Sequence, residues 1–332
     1  MRNPLRILAL STIAAVLVVT AIAEPANATG EHHQSRDRIA YTTSIPGGGA
    51  HVVVANPDGT GTVQLQLPQV LEDFGRPVWS HDASKLLLSN ILRADSTGNL
   101  LPFRPATVSP DGRHFRLFAL PAQPPDMYCS AWTPDDSRFV CAVGGDTPGI
   151  FTFRATDGGD PLRLTTNPFA NPDTPVGYSP DGNRFAFLRT KPTNVPDTTA
   201  VALFIARRDG SHPTQVTPYG VLMPDVIQSA AWSPDGRSLL SSTTDGHLVR
   251  INAHSYGISQ IRLDVPEPYF ASVPSPSPDG RSIVFSLSHG AGPRAADILT
   301  ARADGSHVNY VTTTDDVAEW YPEWANTSAD LR

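Results

Sequence analysis

Two short patterns recur in step along this chain. The first is an aromatic residue followed by Ser-Pro-Asp-Gly or a worn form of it. It reads Trp79-Ser80-His81-Asp82, Trp132-Thr133-Pro134-Asp135, Tyr178-Ser179-Pro180-Asp181-Gly182, Trp232-Ser233-Pro234-Asp235-Gly236, Pro276-Ser277-Pro278-Asp279-Gly280 and Trp324-Ala325-Asn326-Thr327. The second is a hairpin glycine: Asp58-Gly59, Asp111-Gly112, Asp157-Gly158, Asp209-Gly210, Tyr256-Gly257 and Asp304-Gly305. Spacings of 53, 46, 54, 44 and 48 residues in the first column are tracked by 53, 46, 52, 47 and 48 in the second. Two columns that keep step six times define a repeat, and a repeat must be read before any single element.

Each unit has the local chemistry of four short antiparallel strands. The aromatic column ends one strand. Pro-Asp-Gly then turns the chain, because Pro presets φ, Asp bonds nearby backbone and Gly accepts positive φ. An alternating strand follows, as in Arg184-Phe185-Ala186-Phe187 or Ser282-Ile283-Val284-Phe285. A third strand leads into the Asp-Gly turn and a fourth leaves it. Four-stranded units at this spacing are the mark of propeller blades, so the chain is expected to be all-β, a six-bladed β-propeller of four-stranded antiparallel blades. Only eight residues follow Trp324, whereas Arg38-Ile39-Ala40-Tyr41 and His51-Val52-Val53-Val54 are surplus strands at the other end. The segment near Trp324 is therefore expected to supply the inner strand of a blade whose other three strands are N-terminal, which pairs the last open edges.

The aromatic-Ser-Pro-Asp-Gly column, paired with Asp-Gly hairpins in units such as 203–215, resembles the propeller repeat of the TolB family over about residues 37–326. The resemblance implies the propeller fold. It does not extend to the α/β domain that precedes the TolB propeller and bears its partner contacts, so what carries over is architecture. The same repeat occurs in envelope binding proteins and in non-catalytic propellers of peptidases, so the resemblance is specific for fold and not for function.

Composition weighs against a mainly helical protein. Pro makes up 32 of 332 residues, about twice the usual ~5 %, and charged residues only 17 %. A net charge of −7 gives no electrostatic case for nucleic acid or for an anionic membrane surface. Arg2 and Arg6 precede an apolar stretch over 7–23 and small-residue sites at Ala21-Ile22-Ala23 and Ala26-Asn27-Ala28. Residues 1–28 thus read as a signal peptide, 29–36 as a linker, 37–326 as the propeller and 327–332 as a tail; an uncleaved anchor is the alternative reading of the apolar stretch. With cleavage, no membrane insertion is expected. The two cysteines, Cys129 and Cys141, flank an expected turn at 134–137 and are expected to face each other as a disulfide, two buried thiols being the alternative.

In such a blade both turn columns lie on one face, and the longer second-to-third-strand and blade-to-blade loops lie on the other. Loops on a rigid scaffold carry function. The loop-face candidates are Asp73, Phe74, Asp126, Tyr128, Asp173, Asp225, Tyr269, Asp315, Asp316, Glu319 and Trp320, an acidic and aromatic rim suited to docking a partner. The alternative is that the acids solvate loops and the aromatics pack between blades. The repeated Asp82, Asp135, Asp181, Asp235 and Asp279 read as turn formers. His114, His212 and His307 follow Asp-Gly turns in alternate blades, too far apart to share one ion; no metal site and no cofactor is expected. Nor is there a Gly-x-Ser-x-Gly elbow. The expectation is a monomeric, secreted or cell-envelope binding protein for a protein or glycan. The alternative is a lyase or hydrolase at the central channel, with Asp173, Asp225 or His289 as candidate acid/base groups.

Overall fold

The computed structural model describes residues 37–44, 49–68, 75–94, 100–118, 127–146, 148–169, 171–196, 198–223, 230–288, 296–314 and 317–325. The expected signal peptide, linker and tail lie outside them. The described residues form six four-stranded antiparallel sheets. Blade 1 joins β24 (Glu319–Trp324) to β1 (Ile39–Ser44), β2 (Ala50–Ala55) and β3 (Val63–Gln64). Blade 2 holds β4 (Pro77–Trp79), β5 (Leu86–Ala94), β6 (Leu100–Val108) and β7 (Arg116–Leu117). Blade 3 holds β8 (Met127–Trp132), β9 (Arg138–Val143), β10 (Gly149–Arg154) and β11 (Leu162–Arg163); blade 4 holds β12 (Thr174–Tyr178), β13 (Arg184–Pro192), β14 (Thr199–Arg207) and β15 (Thr214–Gln215). Blade 5 holds β16 (Ala230–Trp232), β17 (Ser238–Ser242), β18 (Leu248–Asn252) and β19 (Ile258–Ile261), and blade 6 holds β20 (Phe270–Pro276), β21 (Ser282–Ser288), β22 (Ala296–Arg302) and β23 (Asn309–Tyr310). The C-terminal β24 pairs antiparallel with β1, Ile39 opposite Trp324, and touches both β4 and β20, so the ring closes as the repeat requires.

The first turn column works by side-chain hydrogen bonding. In blade 4 the Ser179 hydroxyl donates to Asp181 (2.5 Å) and accepts from the Arg184 N–H (3.0 Å), the Asn183 N–H donates to Asp181 (3.2 Å), and Gly182 sits at φ +68°. Asp82, Asp135, Asp235 and Asp279 make the same pair of contacts. All five carboxyls are held below their ordinary pKa. At Asp181 and Asp279 the serine hydroxyl is the largest cause; at the other three, burial pushes upward and the hydrogen bonds together outweigh it.

The second column has its own rule. Three residues after the Asp, the chain is left-handed at Gly61, His114, Asp160, His212 and His307. Asp and His are among the few side chains that tolerate this conformation, which gives the alternate-blade histidines a local backbone reason. Blade 5 departs from the column: Tyr256, not Gly257, takes the positive φ there.

Between blades, the aromatic column is cement. The indole N–H of Trp79 donates to the Glu323 carbonyl, that of Trp132 to Val78 and that of Trp232 to Gly177, at 3.1–3.2 Å, each reaching the residue before the aromatic in the preceding blade. Within blade 3, Cys129 lies directly opposite Cys141 on the neighbouring strand and the two are joined as a disulfide, both sulfurs in the core with Phe118, Phe139 and Phe153. A loop of this length confers about 3 kcal/mol in the chain-entropy picture.

Candidate functional site

The inner strands do not run straight. β8, β12 and β20 are bulged against their partners, as is β24 against β1. The bulges at Gly177, Val273 and Tyr321 take positive φ, and a bulge re-aims the side chains beside it. At the loop-face half of the channel, Val273 of blade 6 and Tyr321 of blade 1 form a buried pair, against which Tyr128 of blade 3 and Trp320 of blade 1 pack. Residues from three blades thus meet in a cluster whose two outer rings, Tyr128 and Trp320, stay partly exposed. Holding Val273 and Tyr321 left-handed costs on the order of 1–3 kcal/mol each, strain of the kind that collects where a side chain must be held in place.

The turn-face half of the channel is a cavity of about 100 Å³ with walls from all six blades. Its innermost column is the residue before each aromatic: Val78, Ala131, Gly177, Ala231, Ser275 and Glu323. Five are small or apolar and one is acidic. The Glu323 Oε2 lies 3.9 Å from Nε of the buried Arg76, accepts no hydrogen bond among the described residues, and shares the cavity with His81. His81 is itself anchored, its Nδ1 2.8 Å from Asp136 of blade 3. Burial raises the Glu323 carboxyl to a pKa of about 7, against the downward pull of Arg76, the Trp79 N–H and His81.

The loop-face candidates meet different fates. Tyr128 and Trp320 are brought together at the channel mouth. Asp173, a candidate for the docking rim, is fully buried: Arg189 grips both its oxygens at 3.0 and 2.8 Å and is flanked by Phe187 and Phe204. Its partner lies sixteen residues on, across β12 and β13, a pairing invisible in one dimension. Tyr269 is also buried, edge-on to His247. Glu319 is buried and accepts from the Thr312 and Thr314 hydroxyls. Burial first, then the nearby Asp297, raises its pKa to about 7, and burial with Glu319 pushes Tyr41 to about 12. Asp73, Phe74, Asp126, Asp225, Asp315 and Asp316, with His289, lie outside the described residues.

Glu323, Arg76 and His81 escaped the sequence reading. The signal was present: aligning the units on the aromatic shows one carboxylate in a column otherwise small or apolar.

No protein-family profile and no curated protein sequence matches the chain. Solved structures do. TolB from Acinetobacter baumannii superposes with a TM-score of 0.60 at 15 % identity over 88 % of this chain and 67 % of that one. The putative TolB from Agrobacterium tumefaciens gives 0.56 at 20 % identity, over 83 % of this chain and 88 % of that one. Hydrazine synthase from Kuenenia stuttgartiensis gives 0.59 at 12 % identity, with 89 % of this chain matching 47 % of the other, so the chain spans about half that protein's length. At these identities the likeness is one of fold. The chain has a TolB-like six-bladed β-propeller fold.

Proposed function

We propose that this chain is a secreted or cell-envelope binding protein that docks a protein or glycan partner on its loop face, centred on the channel mouth. The observation that carries the reading is the meeting of Tyr128 and Trp320 there, partly exposed aromatic rings anchored on a buried Val273–Tyr321 pair. Held aromatic rings at the centre of a face are the usual anchors of an interface. The apolar 7–23 stretch after Arg2 and Arg6 supports export, and no helix among the described residues is long and apolar enough to cross a membrane. Crosslinked capture from the source envelope and medium, with Trp320→Ala beside the wild type, tests it. A partner recovered by the wild type should be lost about thirtyfold in the variant, the effect of removing a ~2 kcal/mol anchor; equal recovery by a folded variant sinks the reading.

A second reading rests on Glu323. A carboxyl with a pKa of about 7 beside a guanidinium, in a channel cavity, is equipped to give and take a proton at neutral pH, as a lyase or hydrolase needs. Turnover abolished by Glu323→Gln would favour it, and turnover indifferent to that change would exclude Glu323 as its acid or base.

A further inference from the structure

An aromatic of the first column fills one slot at five of the six blade junctions, and the slot is built alike each time. Trp232 packs between Ala186 and Ile205 of blade 4 and Leu239, Ile251 and Ala253 of blade 5, under the Arg184 guanidinium at 4.9 Å. Trp132 takes the matching place between Leu87 of blade 2 and Phe139, Phe153 and Ala155 of blade 3. Tyr178, Trp79 and Trp324 fill three more. At the junction of blades 5 and 6 the column carries Pro276, and a cavity of about 180 Å³ remains there. Register identifies it: Leu240, Arg250, Ile283 and Ala303 of its wall stand where Ala186, Ile205, Leu239 and Ala253 stand around Trp232.

Two further features distinguish this slot. Arg250 replaces the apolar or threonine residue of the other blades, and its guanidinium is held by hydrogen bonds to Ser238 Oγ (3.3 Å) and the Ala303 carbonyl (2.9 Å). A fixed guanidinium beside Leu240 and Ile283 is a stacking partner for a ring, as Arg184 is for Trp232. The cavity also reaches the turn face past the exposed Asp235 and Asp279. Its wall also carries Ser233 and Ser282, so the cleft is open and mixed in character, whereas an enclosed apolar cavity of about 150 Å³ already suffices to bind benzene.

We propose that the cleft between blades 5 and 6 is a binding site for a planar aromatic ring of about indole size, which occupies the place tryptophan holds elsewhere in the ring and stacks on Arg250. Proline has no N–H, so residue 276 makes no bond to the Ala231 carbonyl, the acceptor at this point of the inter-blade pattern. This site is separate from the channel mouth and independent of what docks there.

Titration of the full chain with indole, followed calorimetrically, is the test. Saturable binding at one site, on the order of 1 mM or tighter, is expected, with at least a tenfold loss in Pro276→Trp, which supplies the missing ring. N-acetyltryptophanamide in parallel separates the sources: binding of both ligands assigns the site to a tryptophan side chain, binding of indole alone to a free ring. Crystals soaked with 5-bromoindole should place the bromine against Arg250 and Ile283, a readout that stands even if Pro276→Trp fails to fold. No saturable binding, binding unchanged in folded Pro276→Trp, or bromine only at another site overturns the proposal.

Discussion

Gly210→Ala should destabilise the propeller by about 4 kcal/mol, and Gly305→Ala by a similar amount. A Cβ on Gly210 would stand 2.0 Å from the Leu164 carbonyl oxygen, and one on Gly305 2.1 Å from that of Arg262. Each oxygen lies one residue past the outer strand of the preceding blade, so the Asp-Gly turn of one blade is wedged against the backbone of the last. Both glycines also sit at positive φ, +80° and +92°. Left-handed strain and backbone overpacking each cost roughly 1–3 kcal/mol. Gly220 supplies the control: it has φ +84°, and a Cβ added there would meet nothing within 4 Å. Gly220→Ala should cost only about 1 kcal/mol, from backbone conformation alone. Urea denaturation midpoints at constant slope would read all three, and equal losses at Gly210 and Gly220 would refute the wedge.

Stability should also pass through a maximum near pH 4–5 and fall toward pH 8. Glu319 and Glu323 both rise from 4.5 to about 7 in the fold, so the native state holds their protons more tightly than the unfolded chain. Their contribution is fully present below about pH 4.5 and is lost as pH climbs through 7. At about 1.36 kcal/mol per unit, each of the two carboxyls accounts for something on the order of 3 kcal/mol. The turn carboxyls act in the opposite sense: Asp82, Asp135, Asp181, Asp235 and Asp279 lie below 3.8, so what they contribute is present above that value and lost in stronger acid. Melting temperatures from pH 3 to 9 should show the decline above pH 5, and Glu319→Gln with Glu323→Gln should flatten it while leaving the acid limb. A wild type whose stability rises from pH 5 to 8 would contradict both carboxyl assignments.

The two predictions draw on different kinds of information. Gly210 was legible as a turn former, because positive φ is a local demand that only a few residue types meet. That its missing Cβ leaves room for Leu164 is not local, and no pattern in the repeat records it. The same division runs through the candidate site. Tyr128 and Trp320 were visible as loop-face aromatics near the starts of inner strands, yet their convergence on Val273 and Tyr321 depends on ring curvature and on bulges that turn the inner strands. Asp173 read as an acid of the docking rim, whereas the fold buries it against Arg189.

What the sequence by itself determined was the architecture: six units, the turn chemistry of each, and closure of the ring by Trp324's strand beside Ile39. Those follow from hydrogen bonding and backbone preference within a few residues, repeated often enough to be read as columns. Only the tertiary structure decided which residues became chemistry. Burial and juxtaposition across blades, set by packing rather than by neighbours in the chain, isolate Glu323 beside Arg76, bury Glu319, and leave an empty ring slot where Pro276 interrupts the aromatic column.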